Sequence, residues 1–283
     1  METVSNNYVF QVDSDIVKQA FEHRNYLIVY DEDCKQKDYC AIYFSSNDIY
    51  FPNNEQVFTK RILDKDFYEW YNIRISKACK HIYIRDIFKQ WYLGGINTEI
   101  NSPEKLLLFL QKETEGLNIV TLGSSAGGYA AVLYGQLLQA EKILTFNGQF
   151  ELNSLLKESK EEINPLLFRF MNSTLRTYYD LNQYIVNQSR IYYFCSNKSK
   201  WDITQYNHIK ELKDINVISF NTTNHGIPFL KNCLVKVINY DTDLLKQLST
   251  ITHNSIVFSL KVDGLINALK MLWIQLKKKY LHK

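Results

Sequence analysis

Short apolar runs, many of them β-branched or aromatic, alternate along the chain with amphipathic stretches of helical length, the pattern of strands joined by helical crossovers. It predicts strands at Tyr8 to Val12, Tyr26 to Tyr30, Tyr39 to Phe44, His81 to Arg85, Asn118 to Leu122, Lys142 to Phe146, Arg190 to Cys195 and Asn216 to Phe220. Several are bulky on both faces, as strands buried in a parallel sheet are. Helices are expected at Ser102 to Glu113, with Ser102 as cap and Pro103 in the first turn, at Ala126 to Gln139, at Thr204 to Lys213 and after Gly226. The class is therefore α/β.

Between Phe146 and Arg190 the alternation stops. Residues 147–189 read as two or three short helices inserted between neighbouring strands, either a lid over a site or padding. At the far end Leu265, Leu269, Leu272 and Leu276 recur at helical spacing. The expected organisation is one domain over residues 1–260 and a basic amphipathic helix at 261–283.

Composition narrows the class without naming a chemistry. A chain of 283 residues with 46% apolar and 22% charged residues can bury a sizeable core, which excludes a wholly disordered or fibrous protein. The net charge of +3 is unevenly spread: residues 261–283 hold six lysines against Asp263, leaving 27 basic and 29 acidic groups on the other 260. A slightly acidic body lacks the basic face that nucleic acid requires. The basic end is expected to meet an anionic membrane surface or an assembly partner, or else to dock on the body. Five scattered cysteines without a C-x-x-C pair argue against a disulfide framework or a metal site and read as reduced thiols. With no spanning-length apolar stretch and no secretory pattern from Met1 to Phe10, a cytoplasmic protein is expected.

Three of the ten glycines, Gly123, Gly127 and Gly128, fall within six residues. They lie where a predicted strand runs straight into a predicted helix, and Gly123-Ser124-Ser125-Ala126-Gly127 matches G-x-S-x-G, the nucleophile elbow. In that turn the serine is held in a strained backbone conformation with its hydroxyl above the sheet. The helix N-terminus behind it points N–H groups at an oxyanion, that of Ala126 among them. Phosphate binding is the competing use of such a turn, but the segment has neither the Gly-Lys-Ser/Thr ending of a P-loop nor G-x-G-x-x-G spacing.

Of the six histidines, His225 alone follows a predicted strand in a polar loop, NTTNHGIP, and is the candidate general base. His23, His81, His208, His253 and His282 fall in helical or strand patterns or in the tail. The acid is expected after the preceding strand, where Asp202 stands, although a helix cap would use an aspartate there equally well. Asp180 and Asp214 are rivals, the first in the insertion and the second at the wrong end of a strand. The second oxyanion donor is expected from Ser45, Ser46 or Asn47, with Ser46 preferred; an ordinary Ser/Asn turn is the plain alternative. In HIYIRDIFKQWYLGGIN, Trp91 and Tyr92 are candidates for stacking on a sugar ring or for packing their own loop.

GSSAGGYAA after a strand, preceded by RDIFKQWYLGG and followed by Asp202 and NHGIP, resembles α/β-hydrolase-fold proteins of bacterial surface-polysaccharide and glycoprotein assembly. These include capsule O-acetyltransferases and the acetyltransferase of accessory secretion systems. The resemblance spans Tyr26 to Leu230. It implies a mostly parallel sheet with helices on both faces and a helical insertion, Ser125 as acylated nucleophile, His225 as base and Asp202 as its orienting acid. It further implies acetyl-CoA as donor and a saccharide hydroxyl as acceptor. Ser196-Asn197 stands where such proteins often carry a glycine, and the basic tail has no counterpart. An esterase, or a non-catalytic subunit of a polysaccharide assembly complex, are the alternatives.

Overall fold

The structure, a computed structural model, describes residues 7–34 and 37–264. Its sheet has seven strands: β1 (Tyr26–Tyr30), β2 (Tyr39–Phe44), β3 (Lys80–Ile84), β4 (Asn118–Ser124), β5 (Lys142–Phe146), β6 (Ile191–Ser196) and β7 (Asn216–Phe220). They lie in the order β1-β3-β2-β4-β5-β6-β7, with only β1 antiparallel to its neighbour. Seven of the eight strands read from the sequence are present within a residue or two.

The helices are α1 (Phe10–Asp13), α2 (Asp15–Phe21), α3 (Glu55–Phe58), α4 (Pro103–Glu113), α5 (Ala126–Leu137), α6 (Asn153–Glu158), α7 (Pro165–Phe170), α8 (Lys200–Ile209), α9 (Leu234–Ile238), α10 (Thr242–Leu248) and α11 (Ser255–Asp263). Strand alternation sends Ile42 and Phe44 to one face of β2, where they join Leu106, Leu110 and the apolar side of α5. Ala41 and Tyr43 face the other way, into a core shared with Leu122, Phe146, Phe194 and the C-terminal residues Leu234, Val237, Leu245 and Phe258. Each fully buried Leu or Phe contributes roughly 1.5–3 kcal/mol. This is the α/β-hydrolase fold, a mostly parallel sheet covered on both sides.

From β2 the chain crosses to β3 on one side and then returns to β4 on the other. The loops leaving β2 and β4 therefore part in opposite directions and open a crevice at the carboxyl ends of these strands, where open α/β sheets bind ligands. The elbow segment lies there.

Three sequence expectations change. Tyr8 to Val12 is not a strand: α1 and α2 occupy that region, with Val9, Val12, Val17, Ala20 and Phe21 buried. Their spacing is helical, and the Asp13 carboxylate accepts the Val9 N–H at 2.7 Å and pairs with Arg169. The helix expected from Thr204 starts one turn earlier, at Lys200, because Ser199 caps it. After Gly226 the helix is delayed to a 3-10 turn at Lys231–Cys233 that continues into α9. The insertion forms α6, α7 and short 3-10 turns. The amphipathic helix read through Leu265 to Leu276 lies outside the described residues. No described helix is long and apolar enough to cross a membrane.

Candidate active site

β4 enters α5 through Ser125, whose φ of 53° and ψ of −121° lie in a region that costs a non-glycine residue of order 1–3 kcal/mol. The turn is this tight because backbone crowds both glycine positions. A Cβ on Gly123 would sit 2.0 Å from the Gly127 carbonyl oxygen, and one on Gly127 would sit 2.2 Å from that of Phe44. As the first residue of α5, Ala126 has no intrahelical partner for its N–H.

The structure brings Ser125, His225 and Asp202 together. Ser125 Oγ lies 2.9 Å from His225 Nε2, and His225 Nδ1 lies 2.8 Å from Asp202 Oδ1. A carboxylate only accepts, so Nδ1 carries the proton and Nε2 is left to accept from the serine hydroxyl. Asp202 is 1% exposed and sits in the first turn of α8. Its capping alternative falls away, because the Ser199 hydroxyl caps that helix by accepting the Asp202 N–H. Asp180 and Asp214 are elsewhere: Asp180 pairs with His208 at 2.8 Å, and Asp214 donates its N–H to Gln188.

Two side chains of the loop after β5 complete the arrangement, and the sequence reading missed both. Asn147, fully buried, directs Nδ2 at the carbonyl oxygens of Asn224 and Gly226, 3.2 and 2.8 Å away, and so clamps the residues on either side of His225. Its Oδ1 accepts the Ser196 N–H at 2.8 Å, tying the clamp to β6. Gln149 donates from Nε2 to Ser125 Oγ at 3.3 Å while its Oε1 accepts the Trp91 indole N–H at 3.2 Å. An indole N–H can only donate, so the amide has one orientation. The signal for these residues was positional: the sequence NGQ directly follows a strand that lies beside β4.

The expected oxyanion donor Ser46 is a correction. Its N–H is donated to Glu69 Oε2 at 2.5 Å and its hydroxyl to Glu69 Oε1 at 3.1 Å, so neither is available to an oxyanion. Loss of water around Glu69 pushes its carboxyl above the usual range. Asn47, the next residue, lines the cavity above Ser125 instead. Trp91 lines that cavity too, whereas Tyr92 does not. Tyr92 is 1% exposed, donates its hydroxyl to the Ser45 carbonyl at 2.9 Å and packs edge-on against Phe44, so it is a core residue. Trp91 and Tyr92 both have φ between 50° and 65°. The Asp86 carboxylate holds that loop by accepting the N–H groups of Phe88, Lys89, Gln90 and Tyr92 at 2.7 to 3.1 Å.

The cavity over Ser125 measures about 310 Å³. Trp201 of α8, edge-on to the His225 ring with centroids 5.8 Å apart, lines it together with Ser154, Leu155 and Glu158 of the insertion. Among the described residues no group of His, Cys, Asp and Glu gathers that could hold a metal ion.

No protein-family model and no curated protein matches this chain. Among solved structures it is similar to the capsule O-acetyltransferase of Neisseria meningitidis serogroup A, at a TM-score of 0.46 and 17% identity over 69% of this chain and 82% of that one. It is also similar to an S-formylglutathione hydrolase of Staphylococcus aureus, at 0.43 and 10% over 79% and 92%. A third likeness is to a putative esterase of the same organism, at 0.42 and 15% over 77% and 82%. At these identities the likeness concerns the course of the chain, and the chemistry rests on the geometry above.

Proposed function

We propose that this chain is an enzyme that transfers an acyl group, acetyl from acetyl-CoA, to a saccharide hydroxyl by a Ser-His-Asp double displacement. The observation that carries this reading is the hydrogen-bonded chain from Ser125 through His225 to Asp202, set at the N-terminus of α5. His225 Nε2 takes the Ser125 proton as Oγ attacks the thioester carbonyl, and the oxyanion accepts from the N–H groups of Ala126 and Asn47. Collapse expels the thiol, which leaves with the proton from His225. The acceptor hydroxyl then gives its proton to His225, attacks the acyl-serine, and Ser125 recovers its proton as it departs.

A cavity of about 310 Å³ admits the acyl end of such a donor and one sugar ring, while the bulk of the carrier stays outside. The exposed indole of Trp201 offers a stacking surface to a sugar, the buried Trp91 forms part of the wall, and the insertion acts as a lid whose residues 154–164 wall the cavity. Transfer has to beat water at roughly 55 M, which a bound hydroxyl does through an effective molarity of about 10⁵ M or more.

Intact-protein mass after exposure to acetyl-CoA tests the reading. The wild type should gain one acetyl group, Ser125→Ala should gain none, and added saccharide should discharge the acetyl onto sugar. Equal acetylation of Ser125→Ala overturns the mechanism. Equal CoA release with and without saccharides, together with cleavage of acetylated glycans, assigns the chain to the esterases.

A further inference from the structure

The charge of the cavity lining says something about the acceptor that the triad does not. Around Ser125 and His225 the side chains are indoles, amides, hydroxyls and aliphatics. The amides of Gln149 and Gln205 are committed to Ser125, Trp91, Phe150 and Glu151, so Asn47, Ser154 and the side-chain carbonyl oxygen of Asn164 are the groups that can meet a ligand. Among the described residues, Glu158 is the one Asp, Glu, Lys or Arg of that lining. Lys157 and Lys160 flank it in sequence and Lys200 precedes Trp201; all three are exposed, as Glu158 is, but of the four only Glu158 lines the cavity.

An anionic group drawn into this space would surrender water with no Lys or Arg among the described lining residues to replace it, and would meet a carboxylate of the same sign. Amides and hydroxyls, in contrast, match the hydroxyl and acetamido groups of an uncharged sugar in both directions. The volume of about 310 Å³ lies at the small end of the roughly 300–1,000 Å³ of ligand pockets, so one ring rather than a chain occupies it.

Resting on the acyl-transfer reading above, we propose that the ring presented to Ser125 is uncharged, a neutral or N-acetylated hexose, and that rings bearing a carboxylate or phosphate are rejected. Trp201 supplies the stacking face: it is 62% exposed and already lies against His225.

The test uses the full chain as Ser125→Ala, which cannot turn over, and measures binding by saturation-transfer NMR. The probes are neutral hexose and N-acetylhexosamine oligosaccharides, with uronic-acid, sialic-acid and phosphorylated oligosaccharides of equal length. Neutral probes should bind at least tenfold tighter than anionic ones at physiological salt. Adding Trp201→Ala, at an exposed position that the fold does not need, should weaken the neutral probes about tenfold. Adding Glu158→Arg should narrow the neutral-to-anionic ratio at least fivefold. Equal or tighter binding of anionic probes overturns the proposal, as does binding of neither class or indifference to Trp201→Ala. Failure of the acyl-transfer reading shows separately, as a wild-type chain that binds neutral sugar yet gains no acetyl group from acetyl-CoA.

Discussion

Two buried carboxylates at the carboxyl edge of the sheet, Asp86 and Asp202, are 2% and 1% exposed and use their oxygens in opposite ways. Asp86 divides its acceptor capacity among four backbone N–H groups, two on each oxygen, and so ties the loop after β3 into a knot. Asp202 turns Oδ1 to His225, while Oδ2 has no hydrogen-bond partner among the described residues. Burial pushes the Asp86 carboxyl up to about 6. A carboxylate saturated by main chain serves architecture. One aimed at a titratable ring is set up for chemistry, and burial alone does not tell the two apart.

The contrast is sharpest if each is removed. Asp202→Asn should lower turnover about 10⁴-fold, because the histidine takes the wrong tautomer, while its melting temperature stays close to that of the wild type. A large loss of stability with little loss of rate would return Asp202 to a structural role. Asp86→Ala should do the reverse, costing about 2–4 kcal/mol in chemical denaturation at pH 7 as four buried donors lose their acceptor. Its activity should fall far less, and only because Trp91 shifts.

Proton linkage gives a second check on Asp86. Its folded value lies above the unfolded one, so the stability it contributes is fully present below about pH 4 and is lost as pH rises through about 6. The cost of Asp86→Ala should therefore grow, by something of order 1–3 kcal/mol, as denaturation is repeated from pH 7 down to pH 4. A cost that shrinks on acidification would show that burial does not govern this group.

Two smaller effects probe the side chains that link the regions. Asn147→Ala releases the peptides around His225 and should reduce kcat by about 10- to 100-fold with KM nearly unchanged, since catalytic geometry tolerates little misplacement. A change confined to KM would place Asn147 in substrate binding. Gln149→Met keeps the shape but removes the donor to Ser125 Oγ, and acylation by acetyl-CoA should slow by roughly tenfold, the worth of about one hydrogen bond. Unchanged acylation in single-turnover measurements would limit Gln149 to holding Trp91.

Seven strands and the elbow were legible in the sequence because their causes are local. Strand burial writes itself as apolar runs, and Gly123 and Gly127 are dictated by contacts within a few residues or with the adjoining strand. Ser125, Asp202 and His225 could be named as candidates because each follows its own strand, and strand ends share one edge of a parallel sheet. Misreadings came where a local period had two meanings. Tyr8, Phe10 and Val12 suit an alternating strand until Val17, Ala20 and Phe21 continue the helical face that Val9 and Val12 begin.

What only the tertiary structure decided is which partner each polar group takes. The Ser46 N–H belongs to Glu69, 23 positions away, so the cavity is lined by Asn47 instead. Trp91 and Tyr92 are consecutive and alike in sequence, yet the knot around Asp86 turns one to the cavity and sinks the other beneath Ser45. Asn147 and Gln149 reach His225 and Ser125 because β5 lies between β4 and β6. Periodicity fixes which face of an element is buried; a hydrogen bond needs two groups within about 3 Å, and that distance is set by the packing of elements far apart in the chain.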